Sequence, residues 1–297
     1  MTNQTTDTTD TTGRSGPIRP ADGPGTRIDI TPESAGWKNV AFAIHDVRAG
    51  QPHRGGVADR ETAIVTIEGA GRILVDGRTV DVARTSVFEQ VGRIVYVPPG
   101  VDFTIETDDA IVVAVGSAPA EGTLPVRVIE PSEMRSEIRG GGSAYRQVIH
   151  SLAYPLPAEH LILYEVYIPR GTWAGWPPHR HDGIDGSPYL EEVYYFRLQG
   201  PEGYVLHRNF CEGEAPDGIA DDFDEVCVAH DGDAVLVPAG YHTSVASPGS
   251  NMYFLNYLAG ELELDDRKTP PCFHSDHTWI EADWEAGAWS LPVVPLT

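Results

Sequence analysis

Short apolar runs, separated at close intervals by Gly, Pro and Asp, recur from Arg27 to near the end of the chain. They are rich in Val and Ile and are bounded by turn signals such as Asp76-Gly77, which predicts the β-strands of a sandwich or barrel. We therefore expect an all-β fold with the following strands: Val40–Ile44, Ala63–Ile67, Arg72–Val75, Ile94–Val97, Ile111–Val115, Leu161–Ile168, Glu192–Arg197, Gly203–Asn209, Glu225–Val228, Ala234–Val237 and Met252–Leu258.

Helix signals are sparse. Ser132–Ile138 begins with a capping Ser directly after Pro131 and leads into three consecutive glycines, so we predict a short helix there. With the glycines it forms a predicted linker, residues 131–145. Seven of the first twelve residues are Thr, and residues 1–25 lack the apolar core of a signal peptide, which predicts a disordered tail.

The charge of the chain excludes several classes of partner. Its 297 residues contain 21 Lys and Arg against 44 Asp and Glu, a net charge of −23. Nucleic acid and anionic membrane surfaces both favour positive proteins, so neither is an expected partner. No apolar run is long enough to cross a bilayer. The three cysteines have no CxxC spacing, which argues against a disulfide framework or a Cys-rich zinc site and predicts a soluble cytoplasmic protein.

The two halves of the chain align with each other. Val97–Asp102 reads Val-Pro-Pro-Gly-Val-Asp and Val237–His242 reads Val-Pro-Ala-Gly-Tyr-His, at an offset of 140 residues. Glu61 and Glu192 each lie eight residues before a Gly, at an offset of 131, so we expect an internal duplication that matches Glu61 with Glu192. The first copy, residues 26–130, lacks the histidines of the second, residues 146–297.

Those histidines predict a metal site in the second half. His179 and His181 are one residue apart on an extended stretch, so both imidazoles point to the same face. Glu192 opens the next predicted strand, and His242 follows a Pro-x-Gly corner. Three His and one Glu form a donor set that leaves coordination positions open for water or substrate.

Gly232–His242 resembles the second cupin motif, and His179-x-His181 with Glu192 resembles the first. Ten residues separate His181 from Glu192, where cupins usually leave three or four. With Glu191-Glu192-Val193-Tyr194-Tyr195 this pattern is similar to the 5-deoxy-glucuronate isomerase family of myo-inositol catabolism, a sister of the 5-keto-4-deoxyuronate isomerases. The resemblance covers nearly everything but the first residues.

The resemblance implies a bicupin, which consists of two tandem double-stranded β-helix (jelly-roll) barrels and usually forms a homodimer. It also implies a divalent metal, most simply Zn²⁺ with Mn²⁺ or Fe²⁺ as alternatives, bound by His179, His181, Glu192 and His242. Glu192 is the expected ligand because an aliphatic residue and a Tyr follow it. Strand alternation then turns Glu191 away.

The implied activity is an aldose–ketose isomerisation of 5-deoxy-D-glucuronate to 5-dehydro-2-deoxy-D-gluconate. Candidates for the base are Tyr194, Tyr241 and metal-bound hydroxide. Arg208 is either a clamp for the substrate carboxylate or the partner of a structural carboxylate. Asn256 either orients the substrate or satisfies backbone groups.

Two alternatives remain open from the residues alone. An Fe²⁺ cupin dioxygenase uses the same ligands and predicts oxygen uptake. A sugar-binding cupin without turnover predicts binding with no chemical conversion. The chain also departs from the family at Val205–Asn209, where His207 stands at a position that is usually Gln, and in a long acidic segment, Glu261–Cys272.

Overall fold

The computed structural model describes residues 16–285 and 287. The first half contains nine strands: β1 Gly25–Ile30, β2 Ala41–Arg48, β3 His53–Gly55, β4 Arg60–Val75, β5 Arg78–Arg84, β6 Ile94–Val97, β7 Phe103–Glu106, β8 Ala110–Pro119 and β9 Arg127–Ile129. The second half contains eleven: β10 Arg135–Arg139, β11 Arg146–His150, β12 Ile162–Ile168, β13 Trp173–Arg180, β14 Leu190–Leu198, β15 Val205–Cys211, β16 Phe223–Ala229, β17 Ala234–Val237, β18 Tyr241–Ala246, β19 Met252–Gly260 and β20 Cys272–Phe273. The prediction of an all-β fold is confirmed.

The two α-helices among the described residues are short, α1 Pro32–Ala35 and α2 Ile280–Glu285. Neither has the length or the apolar content to cross a membrane.

All strands pair antiparallel, and the two halves repeat one strand order. The first half forms a nine-stranded sheet whose path is β1-β2-β8-β4-β6-β9, with β3, β5 and β7 attached to it. The second half forms a six-stranded sheet, β10-β11-β12-β19-β14-β17, and a five-stranded sheet, β16-β15-β18-β13-β20. Thus β2-β8-β4-β6 in the first half has the same order as β12-β19-β14-β17 in the second.

Strand β4 joins two of the predicted strands into one. It runs for 16 residues, with a register irregularity between Thr66 and Glu68. Gly69 follows at φ +93, and a Cβ there would lie 2.3 Å from the carbonyl oxygen of Ala110. Only Gly fits this bend, at which the strand turns from one side of the barrel to the other.

The internal alignment needs a correction of one residue. Thr62 pairs with Val97 in the first half, and Glu192 pairs with Val237 in the second. Because Val97 and Val237 match, Thr62 is the counterpart of Glu192. The predicted match of Glu61 with Glu192 is therefore wrong, and Glu61 corresponds to Glu191.

The helix predicted at Ser132–Ile138 is also wrong. Pro131–Glu133 forms one 3₁₀ turn, and the chain then extends as β10, which pairs with β11 over its full length. Part of the expected linker is thus an edge strand of the six-stranded sheet. Residues 1–15 of the expected tail lie outside the described residues, whereas Ile18 forms a β-bridge with Ala234.

Candidate metal centre

Strands β13 and β18 bring three imidazoles together inside the second barrel. His179 pairs with His242 across the two strands, and alternation turns His181 to the same face as His179. One ring nitrogen from each of these three residues lies within 4.8 Å of the others. The ring centroids of His179 and His242 are 4.3 Å apart, and those of His181 and His242 are 5.1 Å apart.

Glu192, near the start of β14, completes the cluster. Its Oε2 lies 2.8 Å from Nε2 of His181 and 3.1 Å from Nε2 of His242. Nδ1 of His181 is 2.8 Å from the carbonyl oxygen of Leu190, which can only accept, so this nitrogen carries the proton and Nε2 is left for a ligand role. Asn256 donates from Nδ2 to the other oxygen of Glu192.

Glu191 points to the opposite side of β14. Its carboxylate accepts hydrogen bonds from the backbone N–H groups of Lys38, Asn39 and Val40, each at 2.8 Å. The sequence-based choice of Glu192 as the inward carboxylate therefore agrees with the position of both side chains.

The charges in the cluster suit a cation. Burial opposes ionisation of Glu192, but hydrogen bonds from His181 and His242, together with their charges, lower its pKa below the usual value. Burial, followed by repulsion from His242 and His181, lowers the pKa of His179 well below its usual value, so this ring stays neutral. The ionised carboxylate of Glu192 and the neutral ring of His179 are the states in which these two residues bind a metal.

Unpartnered nitrogen atoms provide a direct test of fit. Nδ1 of His179 and Nδ1 of His242 are buried without a hydrogen-bond partner, and Nε2 of His242 has only its 3.1 Å contact with the carboxylate of Glu192. Leaving such atoms unpaired is costly in a folded protein. A metal ion held by His179, His181 and His242 would take one nitrogen from each ring, with the carboxylate of Glu192 as a fourth donor. The donor set fits a divalent metal.

Tyr194 lies beside the cluster on the inner face of β14. Its ring centroid is 5.8 Å from that of His242, and its hydroxyl interacts with Asn256 and Glu192. Burial and the charge of Glu192 raise the pKa of Tyr194 well above its usual value. The hydroxyl therefore stays protonated and suits a hydrogen-bond donor better than a base.

Two of the predicted catalytic residues lie on the outside of the barrel. Arg208 forms two hydrogen bonds to Asp224, at 2.7 and 2.9 Å, and stacks over Phe210. Tyr241 also contacts Phe210, with 5.6 Å between ring centroids. Alternation along β15 and β18 turns His207 and His242 inward and Arg208 and Tyr241 outward. The contact with Asp224 agrees with the alternative that Arg208 pairs with a structural carboxylate, and the position of Tyr241 gives no support to its prediction as a base.

His207 is the residue that sequence reasoning missed. It is fully buried, its ring lies 5.2 Å from that of Tyr194, and its Nδ1 is 2.9 Å from Oγ of Ser244. Its Nε2 has no partner. Burial and the nearby His242 lower its pKa to about 3, so the ring is neutral. One signal in the sequence could have identified it: His207 lies in Val205–Asn209, a segment that departs from the family pattern.

Comparison with known proteins agrees with this architecture. The sequence profile described as the KduI/IolB family matches residues 18–280. A protein of Geobacillus kaustophilus named 5-deoxy-glucuronate isomerase is 36% identical over 261 residues, which cover 86% of this chain and 91% of that protein. A protein of Geobacillus thermodenitrificans with the same name is 34% identical over 261 residues, which also cover 86% of this chain and 91% of that protein.

Solved structures show the same fold. An IolB-like protein from Salmonella typhimurium LT2 superposes with a TM-score of 0.81 at 32% identity, covering 89% of this chain and 98% of that one. An oxalate decarboxylase from Lactobacillus farciminis superposes with a TM-score of 0.54 at 12% identity, covering 84% and 85%, and shows likeness of fold alone. The profile match and the shared identity show that this protein belongs to the KduI/IolB family and is an aldose–ketose isomerase.

Proposed function

We propose that the protein converts 5-deoxy-D-glucuronate to 5-dehydro-2-deoxy-D-gluconate in myo-inositol catabolism, with a divalent metal held by His179, His181, Glu192 and His242. The observation that carries the proposal is the buried cluster itself, in which three imidazoles, two of them with unpartnered nitrogens, surround an ionised carboxylate. The substrate is inferred from the name that these relatives carry, 5-deoxy-glucuronate isomerase.

The reaction moves a hydrogen between neighbouring carbons without net oxidation. A proton leaves the carbon next to the aldehyde, and a proton arrives at the former carbonyl carbon. When bound, a divalent ion spreads the negative charge that develops on the two substrate oxygens and makes the C–H bond more acidic. Because no electron transfer is needed, Zn²⁺ suits the site, and Mn²⁺ or Fe²⁺ fits the same donors.

The surrounding residues have separate tasks. Asn256 holds the carboxylate of Glu192 in place. The protonated hydroxyl of Tyr194 can donate a hydrogen bond to a substrate oxygen. Phe196 and Phe254, packed against Tyr194, form an apolar floor that excludes water and strengthens the electrostatic interactions above it.

We also place the reaction in the cytoplasm. All three cysteines are free thiols, which suits a reducing compartment.

The test is reconstitution of the metal-free protein. Protein stripped with a chelator is expected to lose ketone formation from 5-deoxy-glucuronate, and addition of Zn²⁺, Mn²⁺ or Fe²⁺ is expected to restore it. His242→Ala should prevent restoration, while Arg208→Gln, on the outer face, should leave it intact. Metal-loaded protein without turnover would reject the substrate, and oxygen uptake in its place would favour the dioxygenase.

A further inference from the structure

Three arginines share the inner face at the edge of the six-stranded sheet. Arg139 pairs with Arg146 across β10 and β11, and Arg135 pairs with His150 four positions further along. Paired residues project to the same face of a sheet. Glu137 is the one carboxylate between them, and it is shared by Arg135 and Arg139. In a chain with a net charge of −23, this face is locally positive.

Arg146 differs from the other two because no carboxylate neutralises it. Its Nη1 donates a hydrogen bond to the carbonyl oxygen of Ala144, at 3.0 Å, and no carboxylate in residues 16–285 lies within ion-pair distance of it. The buried Arg84 and Arg180 each pair with a carboxylate at 2.7 Å. The buried Arg267 has no carboxylate partner, but three backbone carbonyl oxygens, of Leu152, Leu156 and Leu161, accept hydrogen bonds from its Nη atoms. Arg146 has one carbonyl acceptor and no carboxylate, so its half-buried guanidinium can still bind an anion from outside the chain.

The side chain of Arg146 points into the second barrel, which contains the candidate metal centre. Val148, two residues along β11, belongs to the same buried cluster as Tyr194, so Arg146 is on the inward face. Gly140 leaves room for the guanidinium, since a Cβ there would lie 2.9 Å from Nη1 of Arg146. The charge of Arg146 reaches the metal centre: it adds to the effect of burial and of the neighbouring imidazoles in lowering the pKa of His179, and it opposes the effect of burial and of Glu192 that raises the pKa of Tyr194.

A row of polar side chains connects this face with the metal centre. His150 pairs with Tyr164, Tyr164 pairs with Asn256, and Asn256 pairs with Tyr194, so one inner row crosses β11, β12, β19 and β14. Asn256 in turn binds Glu192. Arg146 lies on the same face of β11, four residues from His150, so it flanks this row and can receive the anionic end of a sugar acid whose carbonyl end lies near the histidines.

We propose that Arg146, assisted by Arg139, binds the carboxylate of the substrate and makes the site specific for sugar acids over neutral sugars. This inference rests on the proposed function for the identity of the substrate. Binding of the carboxylate fixes which end of the sugar meets the metal centre, because the two ends then occupy sites of different chemistry.

The test compares acids with neutral sugars as ligands. Titration calorimetry of the zinc-loaded protein is expected to show that glucuronate binds about 30- to 100-fold more tightly than glucose, the size expected for a charged hydrogen-bonded pair. Arg146→Gln should abolish most of this preference, and Arg146→Lys should keep part of it, since Lys lacks the bidentate fork. Arg139→Gln should cause a smaller loss because Arg139 is more exposed and is paired with Glu137. Arg208→Gln is the matched control and should keep the wild-type preference.

Kinetics with 5-deoxy-glucuronate provide the second readout. Arg146→Gln is expected to raise KM far more than it lowers kcat, with unchanged zinc content and melting temperature. An unchanged preference for the acid in this variant, or no preference in the wild type, would overturn the inference. Wild-type protein that binds glucuronate but does not turn over 5-deoxy-glucuronate would reject the proposed function, while the binding comparison would still decide the role of Arg146.

Discussion

Glu192 occupies the centre of the site because other side chains fix both of its oxygens. One oxygen lies against His181 and His242, and the other accepts from Asn256. A carboxylate held in this way keeps its orientation before a metal binds, which lowers the entropic cost of binding. Asn256 therefore acts through Glu192, a role that neither sequence-based alternative for this residue contained.

Asn256→Ala is expected to weaken zinc binding by about 10- to 100-fold, since residues that orient a ligand typically have effects of this size. Competition with a chromogenic chelator measures the affinity. Asn251→Ala is the matched control, because Asn251 is exposed and hydrogen bonds with Gln199 outside the site. Equal zinc affinity in both variants would show that Asn256 does not position Glu192.

In the first half, His45 and His53 stack at 3.7 Å between ring centroids, with His45 buried. Burial, followed by repulsion from His53, lowers the pKa of His45 from 6.5 to about 4. His45 therefore binds a proton near pH 6.5 in the unfolded chain but only near pH 4 in the folded protein. Stability is unaffected above pH 6.5 and falls between those two values.

The loss attributable to His45 is expected to reach at most about 3 kcal/mol at pH 4. His45→Gln can keep the contact with Thr26 and removes the titration. Urea denaturation of both proteins at pH 7, 5.5 and 4.5 should show the variant gaining stability relative to wild type as the pH falls. A constant difference across this range would contradict the assignment.

At the scale of single elements, the register between strands decides what each side chain does. Ser132 and Pro131 are good signals for a helix start, but the residues after them pair with β11 instead. Pairing in a sheet satisfies the backbone N–H and C=O groups of Arg135–Arg139, and this tertiary gain overrides a weak local preference. The pairing also turns Arg139 toward Arg146.

For the whole molecule, two carboxylates tie the halves together in a reciprocal way. Glu61 accepts hydrogen bonds from the backbone N–H groups of Glu159, His160 and Leu161, at 2.6 to 2.8 Å. Its counterpart Glu191 binds three consecutive N–H groups of the first half, residues 38–40. Each half thus holds the segment that leads into a central strand of the other, which places β14 and its Glu192 against a rigid support.

Glu61→Ala is expected to destabilise the protein by about 3–5 kcal/mol, because three buried N–H groups and the hydroxyl of Tyr96 lose their acceptor. Urea denaturation measures the change. Glu68→Ala is the control, since Glu68 is exposed and its contact with Arg197 is 3.4 Å long, so a loss below about 1 kcal/mol is expected. Similar losses of stability in the two variants would show that the hydrogen bonds of Glu61 do not stabilise the contact between the halves.

Much of the architecture follows from the sequence alone. Ile94–Val97 and Ala234–Val237 are strands with the predicted bounds, and the spacing of His179, His181 and His242 was sufficient to predict one cluster. These features are local, since a β-strand needs only a short run of suitable residues, and two histidines on one strand share a face whatever surrounds them.

The tertiary structure decided which face of each strand meets the barrel interior and what lies across from it. Pairing between distant strands placed His207 inside and Arg208 outside, and it turned Arg146 toward the centre. A shift of one residue in the register would exchange the two faces, and no local pattern fixes that register. Sequence therefore determined the strands and the set of candidate metal-binding residues, while the long-range packing of the two sheets determined which charged side chains can reach a substrate.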